Sequence, residues 1–160
     1  MLGDGSSSTA QLMRDADTAM YEAKRQGRGR FVHFEPAMHA RASRALTLEA
    51  ELREALGQQQ VRPVFQPIVE IASGRIVGVE TLARWRHPQR GEVSPMEFIP
   101  LAEDTGLILP LGEWVLKTAC VRLALWASRP ELADLSLAVN VSARQFHHRD
   151  FVEQVLAALA

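Results

Sequence analysis

The 160 residues predict an α/β fold: a mostly parallel sheet whose first strand runs antiparallel, preceded by a connecting helix and a short α+β tail. Three observations predict it. Residues 64–71 and 75–86 are two β-rich runs separated only by Ala72-Ser73-Gly74, a connection short enough for an antiparallel hairpin. From the second run onward the order is strand, helix, strand, helix, the alternation that builds a parallel sheet. Ahead of them, residues 1–34 offer one helical stripe and one short apolar run, too little to bury a core.

Composition narrows the function. With 47% apolar residues, 23% charged and a formal net charge of −1, a wholly disordered chain is excluded. Nothing in that balance pulls the chain towards a nucleic-acid polymer or an anionic membrane. The single cysteine, Cys120, can form neither an internal disulfide nor a thiolate metal site by itself. Its apolar helical surroundings predict a small buried hydrophobe. The polar start Met1-Leu2-Gly3-Asp4-Gly5 has no apolar run behind it, so no signal peptide is expected. No window approaches the roughly 18 apolar residues of a membrane span. The expectation is a soluble, cytoplasmic chain.

The elements come in order. Ser8 or Thr9 can cap a helix with Leu12, Met13, Ala16, Ala19, Met20 and Ala23 on one stripe, ended by Gly27. Arg28 and Arg30 alternate with Gly29, and Phe31-Val32-His33-Phe34 is apolar enough for one strand. Pro36 suits the first position of a second helix, which reaches about residue 56 and places Leu48, Leu52, Ala55 and Leu56 together. It reads as a connecting helix, with partner binding or dimerisation as the alternative.

Pro67 lacks an N–H for a ladder, which makes the first strand an edge. Residues 87–91 read as a loop, and Ser94-Pro95-Met96-Glu97 as a capping box opening a short helix. A longer helix is expected over 111–129, a buried strand over 135–141 and an amphipathic helix over 150–160.

Side chains two apart on a strand share a face. Glu80, Leu82 and Arg84 therefore lie on one face of the second strand, and Val79, Thr81, Ala83 and Trp85 on the other. A carboxylate and a guanidinium on an inner face must be paired or used. One reading is a structural Glu80–Arg84 ion pair; the other is a metal ligand beside a phosphate-binding arginine. Asn140 alternates with Ala138 and Ser142 near the C-terminal end of the last strand, where α/β enzymes place their sites. Its carbonyl oxygen is a hard ligand for Mg²⁺ or Mn²⁺, or its amide caps the strand end. Gln66, in the first strand, is equally open. The five histidines show no metal-ligand spacing and read as structural or solvated, and no phosphate loop or nucleophile elbow is present.

Four motifs in order resemble the EAL domain family of bacterial cyclic di-GMP phosphodiesterases. They are Phe65-Gln66-Pro67-Ile68-Val69, Gly78-Val79-Glu80-Thr81-Leu82-Ala83-Arg84-Trp85, Phe98-Ile99-Pro100-Leu101-Ala102-Glu103 and Asn140-Val141-Ser142-Ala143-Arg144-Gln145-Phe146. Residues 15–24 and 27–30 are similar to the C-terminal end of a GGDEF (diguanylate cyclase) domain. The resemblance divides the chain into a GGDEF remnant (1–35), a linker helix (36–60) and the first part of an EAL domain (61–160).

It implies an incomplete TIM-like (β/α) barrel with an antiparallel first strand, and hydrolysis of cyclic di-GMP to the linear dinucleotide with Mg²⁺ or Mn²⁺. By motif position, Glu80 and Asn140 would ligate metal, Leu82 and Gln66 would lie against the dinucleotide, and Arg84 would meet a phosphate. Thr81 replaces the alanine of the family signature but faces away from Glu80.

A complete barrel of this kind takes about 250 residues, and the family's paired aspartates and lysine have no counterpart here. The expectation is therefore a piece of a phosphodiesterase, inactive as given. A non-catalytic module for cyclic di-GMP or a protein partner is the alternative, and a truncated product without a function of its own is a third. Open strand edges and apolar faces further imply a homo-oligomer.

Overall fold

A computed structural model describes residues 8–25, 27 and 29–160. The polar lead-in at 1–7 and Arg28 lie outside the described residues. The chain divides into two compact units, Met1–Ala50 and Glu51–Ala160.

In the first unit, α1 (Thr9–Arg25) opens where the Ser8 hydroxyl accepts from the Gln11 backbone N–H at 3.2 Å. It stops before Gly27, whose φ of +104° lies in the left-handed region. The apolar stripe of α1 does not become a core. Ala19 is buried, but Leu12, Met13 and Met20 are more than half exposed. The face engaged is the flank of that stripe, where Gln11, Asp15 and Thr18 are half-buried beside Ala19. Asp15 Oδ1 lies 2.8 Å from Nε2 of His39, in the first turns of the next helix. The strand expected at Phe31–Phe34 does not form. A lone extended run has no ladder to satisfy its backbone groups beside two helices, and Phe31 is left exposed. Helix α2 (Pro36–Gly57) begins at its proline as expected; Leu48 is buried in this unit, and Leu52 and Ala55, buried as well, belong to the second.

The second unit is built on one four-stranded sheet. Strand β1 (Val61–Val69) pairs antiparallel with β2 (Ile76–His87) over nearly its whole length. The Glu70 N–H donates to the Arg75 carbonyl, and the Gly74 N–H to the Glu70 carbonyl, both at 2.9 Å. Gly74 adopts the φ of +69° that this turn requires. Because β1 has no second neighbour among the described residues of the sheet, Pro63 and Pro67 leave no ladder bond unmade.

The other edge of β2 is shared. Strand β3 (Gly91–Val93) runs antiparallel beside residues 85–87, and β4 (Ser136–Val139) runs parallel beside residues 78–81. Residues 87–91 are therefore a hairpin turn into a short strand and not a plain loop. His87 Nδ1 accepts from the backbone N–H groups of Gln89 and Arg90 at 3.1 Å, which shapes that turn.

Ser94 caps α3 (Pro95–Thr105), its hydroxyl accepting from the Met96 N–H at 3.3 Å, with Pro95 in the first turn. Helix α4 (Ile108–Ala127) starts three residues before its expected position. A core forms where β2 meets these helices. Trp85 and Phe98 are wholly buried and stack edge to face at 5.8 Å, with Leu111 and Val61 also enclosed.

The strand predicted as buried over 135–141 is shorter, and none of the residues in β4 is buried. Among the described residues it has a neighbour on one edge only. A four-residue helix, α5 (Ala143–Phe146), and α6 (Phe151–Leu159) close the order. The result is an open α/β sheet. Among the described residues, no helix is long and apolar enough to cross a membrane.

Candidate active site

Register gathers the singled-out residues. Gln66 of β1 lies opposite Glu80 of β2, and Glu80 in turn lies beside Ala138 of β4. One step along, Val64 lies opposite Leu82, and one further, Arg62 lies opposite Arg84. Alternation then places Gln66, Glu80, Leu82 and Arg84 on one face. The other face carries Val79, Thr81 and Trp85, all buried. The faces separate as the sequence predicts, with one difference. The Glu80 face is half exposed, because only one side of the sheet is covered by helices.

Asn140, just beyond β4, joins the same face. Its Nδ2 donates to Glu80 Oε1 at 2.7 Å. Glu80 is therefore held by an amide and not by Arg84, which corrects the ion-pair alternative. Arg84 donates from Nη1 to its neighbour's carbonyl, Ala83 O, at 2.9 Å. Its remaining guanidinium donors line a cleft of about 350 Å³ shared with Leu82, Glu103, Asn140 and Gln145.

Three residues not singled out as site residues from the sequence shape the turn that follows Asn140. Ser142 caps α5, and Gln145 completes a reciprocal capping box: its backbone N–H donates to Ser142 Oγ, and its side-chain oxygen accepts from the Ser142 N–H, each at 3.2 Å. Gln145 is buried and seated directly over Gly112 of α4. A Cβ at position 112 would fall 1.8 Å from Gln145 Nε2. Arg144 donates to the carbonyls of Glu103 and Asp104 at the end of α3, where unpaired carbonyls and the helix dipole favour a cation. The Ser-x-x-Gln spacing was a legible signal; the Gly112 seat was not.

Glu80 and the Asn140 carbonyl are two neighbouring hard oxygen donors, the chemistry that Mg²⁺ or Mn²⁺ prefers. They fit such an ion as part of a coordination set. Among the described residues, no group of three or more His, Cys, Asp or Glu side chains is placed to hold a metal.

The family model described as EAL domain matches residues 49–160. The chain belongs to the EAL domain family. Among relatives of this EAL chain, the Pseudomonas aeruginosa bifunctional diguanylate cyclase/cyclic di-GMP phosphodiesterase MucR is 47% identical over 157 residues, 98% of this chain and 23% of that protein. The Escherichia coli cyclic di-GMP phosphodiesterase PdeR is 45% identical over 141 residues, 88% of this chain and 21% of its own length. The structure described as the PaMucR phosphodiesterase in complex with c-di-GMP superposes with a TM-score of 0.68 at 47% identity, covering 71% of this chain and 45% of that one. The EAL chain thus spans under a quarter of these curated relatives and under half of that solved structure.

Proposed function

We propose that this EAL chain supplies part of the site of a metal-dependent phosphodiesterase that opens cyclic di-GMP to its linear dinucleotide. One observation carries the reading: Glu80, Asn140 and Arg84 converge on one face at the C-terminal end of β4, a carboxylate and an amide oxygen beside a guanidinium. Relatives named as cyclic di-GMP phosphodiesterases, at 47% and 45% identity, support it.

In this reading Glu80 and the Asn140 side-chain oxygen would hold a divalent ion, and the Asn140 Nδ2 bond to Glu80 Oε1 keeps the two side chains together on that face. When bound, such an ion lowers the pKa of a coordinated water and neutralises charge on a phosphoryl oxygen. Arg84 receives a non-bridging phosphate oxygen through its free guanidinium donors. Leu82 gives an apolar surface to the nucleotide, and Gln66, opposite Glu80, offers it an amide. Two protein oxygens do not fill the coordination of even one hard divalent ion, which takes about six. The 160 residues by themselves therefore bind without turning over.

Residues 1–35 are proposed as the end of a GGDEF domain and 36–60 as the linker. The bifunctional cyclase/phosphodiesterase relative, aligned over 98% of the chain, supports that division. The same reading proposes a cytoplasmic protein that pairs with a second copy across its open sheet edge.

Calorimetric titration with cyclic di-GMP in Mn²⁺, with chromatography of the nucleotide afterwards, tests the proposal. The wild-type chain should bind, Glu80→Gln should lose the Mn²⁺ dependence, Arg84→Gln should weaken binding about tenfold, and no linear product should appear. Binding indifferent to both substitutions would sink the site. Turnover abolished by Glu80→Gln would show that these residues suffice for hydrolysis.

A further inference from the structure

Arg62 was not among the residues singled out from sequence, yet it sits directly opposite Arg84 in the β1–β2 ladder. Like charges at directly opposed positions of an antiparallel pair repel and destabilise the sheet. Here both guanidinium groups line a second cleft, of about 460 Å³, with Glu92, Ser94 and Pro95. The carboxylate in that lining is Glu92, and it is set against Arg62: Oε1 lies 3.8 Å from Nη2. At that distance, with the side chains 54% and 57% exposed, the pair is loose and contributes little. Among the described residues of the cleft, two guanidinium groups thus stand with one carboxylate, which is weakly engaged by Arg62. A cleft of this charge, continuous through Arg84 with the one beside Asn140, is built for an anion.

We propose that Arg62 is a second anion-binding arginine of the site, receiving an oxygen of a phosphodiester group of the bound cyclic dinucleotide, and that Glu92 is the internal competitor that occupies Arg62 until the ligand arrives. The proposal rests on the reading of the site as one for cyclic di-GMP. Ligand binding exchanges a loose, exposed ion pair for a charge-assisted contact and separates two repelling cations by an anion. Glu92 thereby sets the affinity from outside the metal-binding residues.

Titration of the 160-residue chain with cyclic di-GMP at low and moderate salt tests this. Arg62→Gln should weaken binding about tenfold and flatten its salt dependence. Glu92→Gln should tighten binding about threefold, an effect that a merely structural ion pair would not produce. The double variant Arg62→Gln/Glu92→Gln should match Arg62→Gln alone, since the competitor then has nothing to occupy. Both side chains are more than half exposed and both replacements keep a polar amide, so the fold is retained. Undiminished binding in Arg62→Gln, beside weakened binding in Arg84→Gln, overturns this proposal and leaves the wider site intact. Glu92→Gln binding no tighter than wild type overturns the competitor role. Absence of binding by the wild-type chain overturns the cyclic di-GMP reading and this proposal together.

Discussion

Strands β2 and β4 lie side by side, run parallel and alternate apolar with other residues, yet they are held in place differently. β2 has partners on both edges and a helical layer on one face, so Val79, Thr81 and Trp85 are buried. Among the described strands β4 pairs only with β2, and none of its residues is buried. Glu80 of β2 and Asn140, just past the end of β4, each offer one hard oxygen to the candidate site. The carboxylate of Glu80 stands on a packed strand; the amide of Asn140 lies just past the end of β4, two residues before the cap of α5. A strand's pattern states which faces differ, and its neighbours decide whether either face is buried.

The sharpest way to break this contrast is to empty the β2 core. Trp85→Ala removes a wholly enclosed indole from its contact with Phe98 and should lower stability by about 3–5 kcal/mol, read in a urea titration by loss of the cooperative transition. Leu137→Ala in β4 should cost well under half as much, since that side chain is only half-buried. Equal losses at the two positions would show that the strands are supported alike.

Next in size is the seat of Gln145. Gly112→Ala drives a methyl group into the Gln145 amide and should cost about 1–3 kcal/mol. Gln145→Ala combined with Gly112→Ala should recover part of it. A double-mutant cycle by thermal melting then gives a coupling energy, and strictly additive effects would disprove the contact. The smallest expected effect concerns the close approach of the strands. A Cβ at Gly78 would fall 2.4 Å from Ser136 Oγ, so Gly78→Ala should loosen β4, read as faster amide exchange at 136–139 with little change in the global transition. Unchanged exchange there would mean that β4 is held chiefly from its other end, through α5.

Much of this was legible in the chain. The hairpin could be read from two β-rich runs around Ala72-Ser73-Gly74, the edge position of β1 from Pro67, and the Ser94 cap from its proline and glutamate. The separation of Glu80, Leu82 and Arg84 from Thr81 and Trp85 needed only the period of a strand. These are local properties, fixed by residue geometry within a few positions. Others misled for the same reason: Phe31–Phe34 looks like a strand, and the α1 stripe looks like a core face, because periodicity does not say whether a partner is present.

Sequence by itself determined which residues share a face, where the chain turns and which motifs mark the EAL family. Only tertiary structure decided that Asn140, not Arg84, holds Glu80, that Gly112 is the floor beneath Gln145, and that Arg62 stands across from Arg84 with Glu92 as its loosely held carboxylate. Those pairings join residues between 22 and 60 positions apart. They depend on strand register and helix docking, which are set by the packing of the whole unit and by no local run of residues.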